Sequence, residues 1–180
     1  MKKPDECKGC PLLKKSTGFC GDYYPDAPIM AMVLKMPGKD EVINGEPMTG
    51  RAGKFWEREY LHPLGLRRQD VLIANTIRCF PHGGEFPTGK VRKGALAYCR
   101  RWDVLDKFRP DLWIVTFNPA AILRSPQQGK FLTRALEFAR DRAREGYRPV
   151  ILAGEEAKEV YAPWLEGAMK KWERHYWGEI

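Results

Sequence analysis

The sequence predicts an α/β fold of three layers, α/β/α, with helices on both faces of a central, mainly parallel four-stranded sheet. Two observations predict it. Short apolar runs bounded by turn residues recur along the chain at the length of buried strands, and stretches of helical periodicity separate them. A third bears on extent: 180 residues without an internal repeat or low-complexity linker suit one domain, 1–180, burying its own core.

Residues 1–27, rich in Lys, Gly, Cys and Pro, hold no sustained period and are expected to form a loop-rich lead-in. Pro28 to Leu34 is an apolar run that delivers Lys35, Met36, Pro37 and Gly38 to a turn. Gly45 to Gly53 is a second turn-rich loop, feeding a helix over about Lys54 to His62. Val71 to Thr76 reads as the next strand and Gly83 to Gly89 as a bend. Lys90 to Phe108 reads as a helix with Leu96, Cys99, Trp102 and Leu105 on one face, ended by Pro110. Leu112 to Phe117 is a third strand, followed by Asn118, Pro119 and a short apolar helix. Phe131 to Arg144 is amphipathic, and Val150 to Ala153 before Gly154 is a fourth strand. In such a sheet ligands bind at the carboxyl ends of the strands, so the loops 35–53, 77–89 and 118–129 are expected to converge on one crevice.

Lys plus Arg exceed Asp plus Glu by 31 to 23, a formal charge of +8 that favours an anionic partner, nucleic acid first. The opening residues lack the apolar run of a signal peptide and no stretch has the length of a membrane span, so the expected location is cytoplasmic, with the nucleoid, and no membrane partner. In a reducing compartment the five cysteines call for metal chemistry rather than disulfides. Cys7-Lys-Gly-Cys10 is a tight hook of the kind that wraps one corner of a zinc ion or an iron-sulfur cluster. Cys79 is expected to end the strand Val71 to Thr76 and Cys99 to lie on the following helix, so this strand-helix unit presents a second pair of thiolates to the hook. Structural zinc sites close with two short hooks, whereas Cys79 and Cys99 stand twenty positions apart, so the spacing favours a four-iron cluster, with zinc as the alternative. Cys20 is read as a small buried hydrophobe.

Taken in order, Cys7-x-x-Cys-Pro-Leu12, Pro37-Gly38, Gly45-Glu-Pro-Met-Thr-Gly-Arg-Ala-Gly53, Asn75-Thr-Ile-Arg-Cys79 and Cys99 before Arg109-Pro110-Asp111 resemble the iron-sulfur uracil-DNA glycosylases, often called family 4, over roughly residues 5 to 125. The resemblance implies a monomeric base-excision repair enzyme carrying a 4Fe-4S cluster. It would flip uracil, or a related pyrimidine, out of DNA and hydrolyse its N-glycosidic bond. The site residues follow from it. Asn75 would hydrogen-bond O4 and N3 of uracil, a pattern that cytosine reverses. Met48 stands where the family usually stacks a Phe on the base, with Met36, Pro37 and Gly38 around it. Lys35 stands where the family has an acid; protonated, it cannot stabilise a cationic sugar or position water. It could grip a phosphate, stabilise the leaving base or, with a strongly lowered pKa, attack the sugar.

The family's second catalytic motif opens with His-Pro and has two placements here. Asn118-Pro-Ala-Ala-Ile-Leu-Arg-Ser-Pro126 puts an amide donor at O2 and Arg124 on a phosphate, although it directly follows the cysteine helix, where the family has a different strand. His175 in Trp172-Glu-Arg-His-Tyr-Trp177 sits in the late position but lacks the Pro. Arg51, Lys54, Lys90, Arg92, Lys93, Arg100, Arg101 and Arg124 supply charge for DNA. His82 is read as a loop residue near the cluster or DNA rather than a base. The competing readings are a member that binds DNA or a modified base with weak or no turnover, and a zinc-stapled nucleic-acid binder without a base pocket.

Overall fold

Six strands and six short to medium α-helices can be followed in the computed structural model, which describes residues 3–102 and 104–163. The strands are β1 (Ser16–Phe19), β2 (Met30–Leu34), β3 (Val71–Asn75), β4 (Cys79–Pro81), β5 (Leu112–Thr116) and β6 (Pro149–Ala153). The helices are α1 (Lys39–Asn44), α2 (Arg51–Trp56), α3 (Gly89–Cys99), α4 (Leu105–Phe108), α5 (Pro119–Ile122) and α6 (Gly129–Arg144), and residues 155–163 are helical as well. All four expected strands form, within a residue or two of their expected ends.

The four pair in parallel in the order β3-β2-β6-β5, so β6, the last strand among the described residues, is inserted between β2 and β5. Every residue of β2, β3 and β6 is buried, as a parallel sheet covered on both faces requires. Alternate residues face opposite layers. Met30, Met32, Ile73, Ile114 and Ile151 pack under α2 and α6, whose Leu132, Ala135, Leu136 and Ala139 recur at helical spacing. Ala31, Val33, Leu72, Val150 and Leu152 face Leu105 and Phe108 of α4 and Ala157, Val160 and Tyr161 of the segment after β6. The expected three layers are present. The open edge of β3 is closed by Tyr23, which exchanges two backbone hydrogen bonds of 2.9 Å with Ile73. Among the described residues no helix is long and apolar enough to cross a membrane.

Three expectations are corrected. The lead-in holds a strand: β1 pairs antiparallel with β4 in a separate two-stranded sheet. Its four residues include a Gly and a bulge, too short for a period to register. Cys79 therefore opens a strand of its own instead of ending β3. The stretch 90–108 is not one helix, because α3 stops at Cys99, a 3-10 turn spans Arg100–Trp102, and α4 ends with Arg109 at φ 53° before Pro110, which disfavours a helical residue ahead of it. The helix expected from Lys54 starts earlier, at Arg51, and continues through a wider π turn, Glu57–Leu61, and a tight one, His62–Leu64.

Candidate functional site

At the carboxyl ends of the strands the loops after β2, β5 and β6 meet in a crevice of about 730 Å³, within the range of small-molecule sites. Leu34 to Glu41 forms one wall, Met48 and Gly50 to Ala52 the floor side, and Phe117, Asn118, Ala120, Ala121 and Arg124 the opposite wall. Phe80 comes from β4 and Gly84 from the turn after it, and Gly154, Glu155 and Glu156 come from the turn after β6 and the helical segment it opens. The turns are tied together by backbone: Gly154 N–H donates to Thr116 O at 2.8 Å, and Thr76 N–H to Leu34 O at 2.9 Å.

Glu41 clasps the two sides of the first loop. Its carboxylate accepts from Gly38 N–H at 2.6 Å and from Met48 N–H at 2.7 Å. Burial pushes this carboxyl up in pKa, against the two backbone donors and Arg68. Met48 is buried and left-handed, φ 58°, a conformation that is costly for a side chain other than glycine and that collects at functional sites. Its carbonyl accepts from Arg68 Nη1 at 3.2 Å, and a Cβ on Gly53 would stand 1.7 Å from that oxygen, so only glycine fits there.

Lys35 Nζ meets Glu156 Oε1 at 2.6 Å and lies 5.2 Å from the centre of the Phe86 ring. Burial works against ionisation of Glu156, but the hydrogen bond and charge of Lys35 outweigh it and hold the carboxyl below its ordinary range. Asn118 caps α5: its Oδ1 accepts from Ala120 N–H at 2.8 Å and its Nδ2 donates to Ala153 O at 3.4 Å. The cap fixes which end of the amide is the donor and leaves Nδ2 a second hydrogen beside the crevice. Asn75 ends β3 beside Leu34 of the crevice wall. It is 3% exposed, and neither its Oδ1 nor its Nδ2 has a hydrogen-bond partner among the described residues.

Cys7, Cys10, Cys79 and Cys99 gather with Leu12, Phe19, Ile77 and Ala95 in a separate apolar pocket, and none forms a disulfide. Burial pushes the Cys7 thiol up to about 11, and the proximity of Cys79, Cys10 and Cys99 adds to the shift, in that order. Burial also raises Cys79 and Cys99. Four buried soft donors converging from a hook, a strand and a helix fit the chemistry of an iron-sulfur cluster, although among the described residues no three His, Cys, Asp or Glu are set to hold a single metal ion. Met36 and Phe86 pack against this pocket, and Met36 also lines the crevice, so the two share a wall. Cys20 lies apart, fully buried, its thiol pushed up to about 12 by burial and by Glu41, Asp22 and Glu46.

A family model described as the uracil DNA glycosylase superfamily matches residues 21–173. The chain belongs to that superfamily. It is similar to the Type-4 uracil-DNA glycosylase of Archaeoglobus fulgidus, 38% identical over 82 residues that make up 46% of this chain and 41% of the relative. It is likewise similar to the Type-4 uracil-DNA glycosylase of Thermotoga maritima, 37% identical over 84 residues, 46% of this chain and 43% of the relative. The matched part of this superfamily member thus spans less than half the length of either relative.

Of the residues singled out in this superfamily member, Lys35, Met36, Pro37, Gly38, Met48, Arg51, Asn118 and Arg124 all line the crevice, drawn together from three loops. Asn75 sits one strand away, and His175 lies outside the described residues. His82 is exposed in the turn after β4. Three of the cations proposed for DNA are engaged within the protein: Arg92 with Glu159, Arg100 with Val160 O, and Arg101 over the Tyr98 ring. Sequence reasoning missed Glu156, whose proximity to Lys35 spans 121 positions, and Arg78. Arg78 is buried on Asp22, with Nε 3.0 Å from the carboxylate, and donates through Nη1 to Cys99 O at 2.6 Å. The Arg68 and Glu41 network behind Met48 also escaped notice. Glu41, three residues past Gly38 and before a turn, matched the spacing of a capping residue and was legible in principle.

Proposed function

We propose that this chain is a uracil-DNA glycosylase, hydrolysing the N-glycosidic bond of uracil in DNA as a single-domain monomer, with a 4Fe-4S cluster on Cys7, Cys10, Cys79 and Cys99. The observation that carries the proposal is the Asn75 amide, buried without a partner among the described residues, beside a crevice large enough to admit a nucleobase. An unsatisfied buried amide costs about 1–3 kcal/mol, a cost removed when a ligand completes its bonds. Uracil does so, donating N3–H to Oδ1 and accepting at O4 from Nδ2, whereas cytosine presents the reverse pattern.

Flipping takes the base out of the stack, and the crevice receives it. Met48, fixed in position by Glu41 and Arg68, packs its thioether on the ring face. As the glycosidic bond stretches, negative charge collects on O2 of the leaving base, and the remaining Nδ2 hydrogen of Asn118 is oriented to meet it. Arg51 and Arg124, both exposed at the crevice, bind the flanking phosphates. The cluster would have a structural role, joining the lead-in, β4 and α3, because hydrolytic excision transfers no electrons.

The deciding experiment incubates iron-bearing protein with uracil-containing and matched thymine-containing oligonucleotides and cleaves abasic sites with alkali. Uracil-dependent strand breaks are expected. DNA binding without breaks would instead support the reading as a binding member without turnover.

A further inference from the structure

Loss of a nucleobase leaves positive charge spread over C1′ and O4′ of the sugar, so excision needs an anionic oxygen near that position and a base for the attacking water. Lys35, at the end of β2, supplies neither. Four carboxylates line the crevice: Asp40, Glu41, Glu155 and Glu156. Glu41 is occupied on both oxygens by Gly38 and Met48 and is buried under the loop. Asp40 is exposed on α1, against Gly50, and Glu155 is exposed and paired with Lys158. Glu156 alone of the four is half-buried in the wall and held on one oxygen by a cation, Oε1 on Lys35 Nζ at 2.6 Å.

We propose that Glu156 is the catalytic carboxylate of this crevice and that Lys35 is its positioning residue, the pair joining two loops that the sheet order brings side by side. Lys35 holds Oε1, which leaves Oε2 to face the sugar. The Phe86 ring lies 5.2 Å from the lysine Nζ, close enough for a cation–π contact. Burial pushes the carboxyl up in pKa, and the hydrogen bond and charge of Lys35, with the Glu156 backbone N–H and Arg92, more than offset that push, so the group is an anion when the base leaves. In the reaction the C1′–N1 bond breaks with its electron pair on the uracil ring, and Glu156 stabilises the cationic sugar. Water forms the new C1′–O bond and gives a proton to Glu156, which passes it to solvent, while solvent protonates the departing uracil anion. The products are free uracil and an abasic site, balanced by one water.

The inference rests on the glycosylase reading, and single-turnover uracil release together with DNA affinity separates the two. Glu156→Gln is expected to slow release by about a hundredfold, the contribution of one positioned acid-base group, with DNA affinity unchanged. Glu156→Asp is expected to recover part of the rate, and Lys35→Gln to lose rate by a smaller factor, because the carboxylate persists without its guide. Should Glu156→Gln misfold by stranding Lys35, the double variant Lys35→Gln/Glu156→Gln strands no charge and must show the same hundredfold loss. A parent protein that releases no uracil overturns the glycosylase reading and this assignment with it. A parent that releases uracil, at a rate that Glu156→Gln leaves within about threefold, overturns the assignment alone.

Discussion

At the scale of single residues, two buried polar groups carry the clearest consequences. The Asn75 amide, without a hydrogen-bond partner among the described residues, is the group we propose to select the base. Asn75→Asp keeps the acceptor for N3 but loses the donor to O4, and discrimination of uracil over cytosine is expected to fall about 10- to 100-fold, measured as relative release from matched oligonucleotides. Unchanged discrimination would remove Asn75 from the pocket. Arg78 is the second group, 5% exposed and paired with an Asp22 side chain that is 7% exposed. Burial opposes its charge, and Asp22 more than compensates, raising the guanidinium above its ordinary value. Arg78→Met would take the guanidinium away from the buried Asp22 carboxylate and from the Cys99 carbonyl. A loss of about 3–5 kcal/mol in denaturant unfolding is expected; a loss below 1 kcal/mol, on the scale of a surface pair, would show that the pair is solvated in solution.

At the scale of elements, the loops rather than the helices decide the site. The loop from Gly45 to Gly53 holds its shape because Glu41 ties Met48 from one side and Gly53 leaves room for the Met48 carbonyl on the other. Gly53→Ala drives a methyl into a backbone oxygen and is expected to cost about 1–3 kcal/mol, lowering the melting temperature and uracil release together. A melt that stays in place would mean that the loop shifts without strain. The Lys35–Glu156 pair joins the turn after β2 to the helical segment 155–163 and is titratable. The Glu156 carboxyl is held below its unfolded value of 4.5, so its contribution is complete above that pH and is lost as the pH falls through the lower folded value. The melting temperatures of the parent and Glu156→Gln are therefore expected to differ at neutral pH and to converge as the pH drops below 4.5. A gap that persists in acid would place the difference in packing rather than charge.

At the scale of the whole molecule, the cysteine pocket and the crevice share Met36 as a wall, so losing the proposed cluster would disturb the crevice through the fold. Replacing Cys79 or Cys99 by Ser is expected to remove bound iron and lower thermal stability by more than it alters base preference, checked by iron content and thermal melts; a stable, iron-free variant would refute the structural role. The amino-acid sequence by itself determined the four buried strands, the α6 stripe, the cysteine set and most of the crevice lining. Each of these is written in local terms: an apolar run, a helical period, a hook of two thiols, a glycine where the backbone turns. The tertiary structure alone decided the partners. The order β3-β2-β6-β5 sets the turn after the last strand beside the turn after the second, which is why Lys35 meets Glu156 across 121 positions. Likewise Arg78 finds Asp22 and Cys99, and the strand Ser16–Phe19 exists because Cys79–Pro81 is there to pair with it. Charge pairing and strand pairing depend on distance in space, and along this chain no periodicity records that distance.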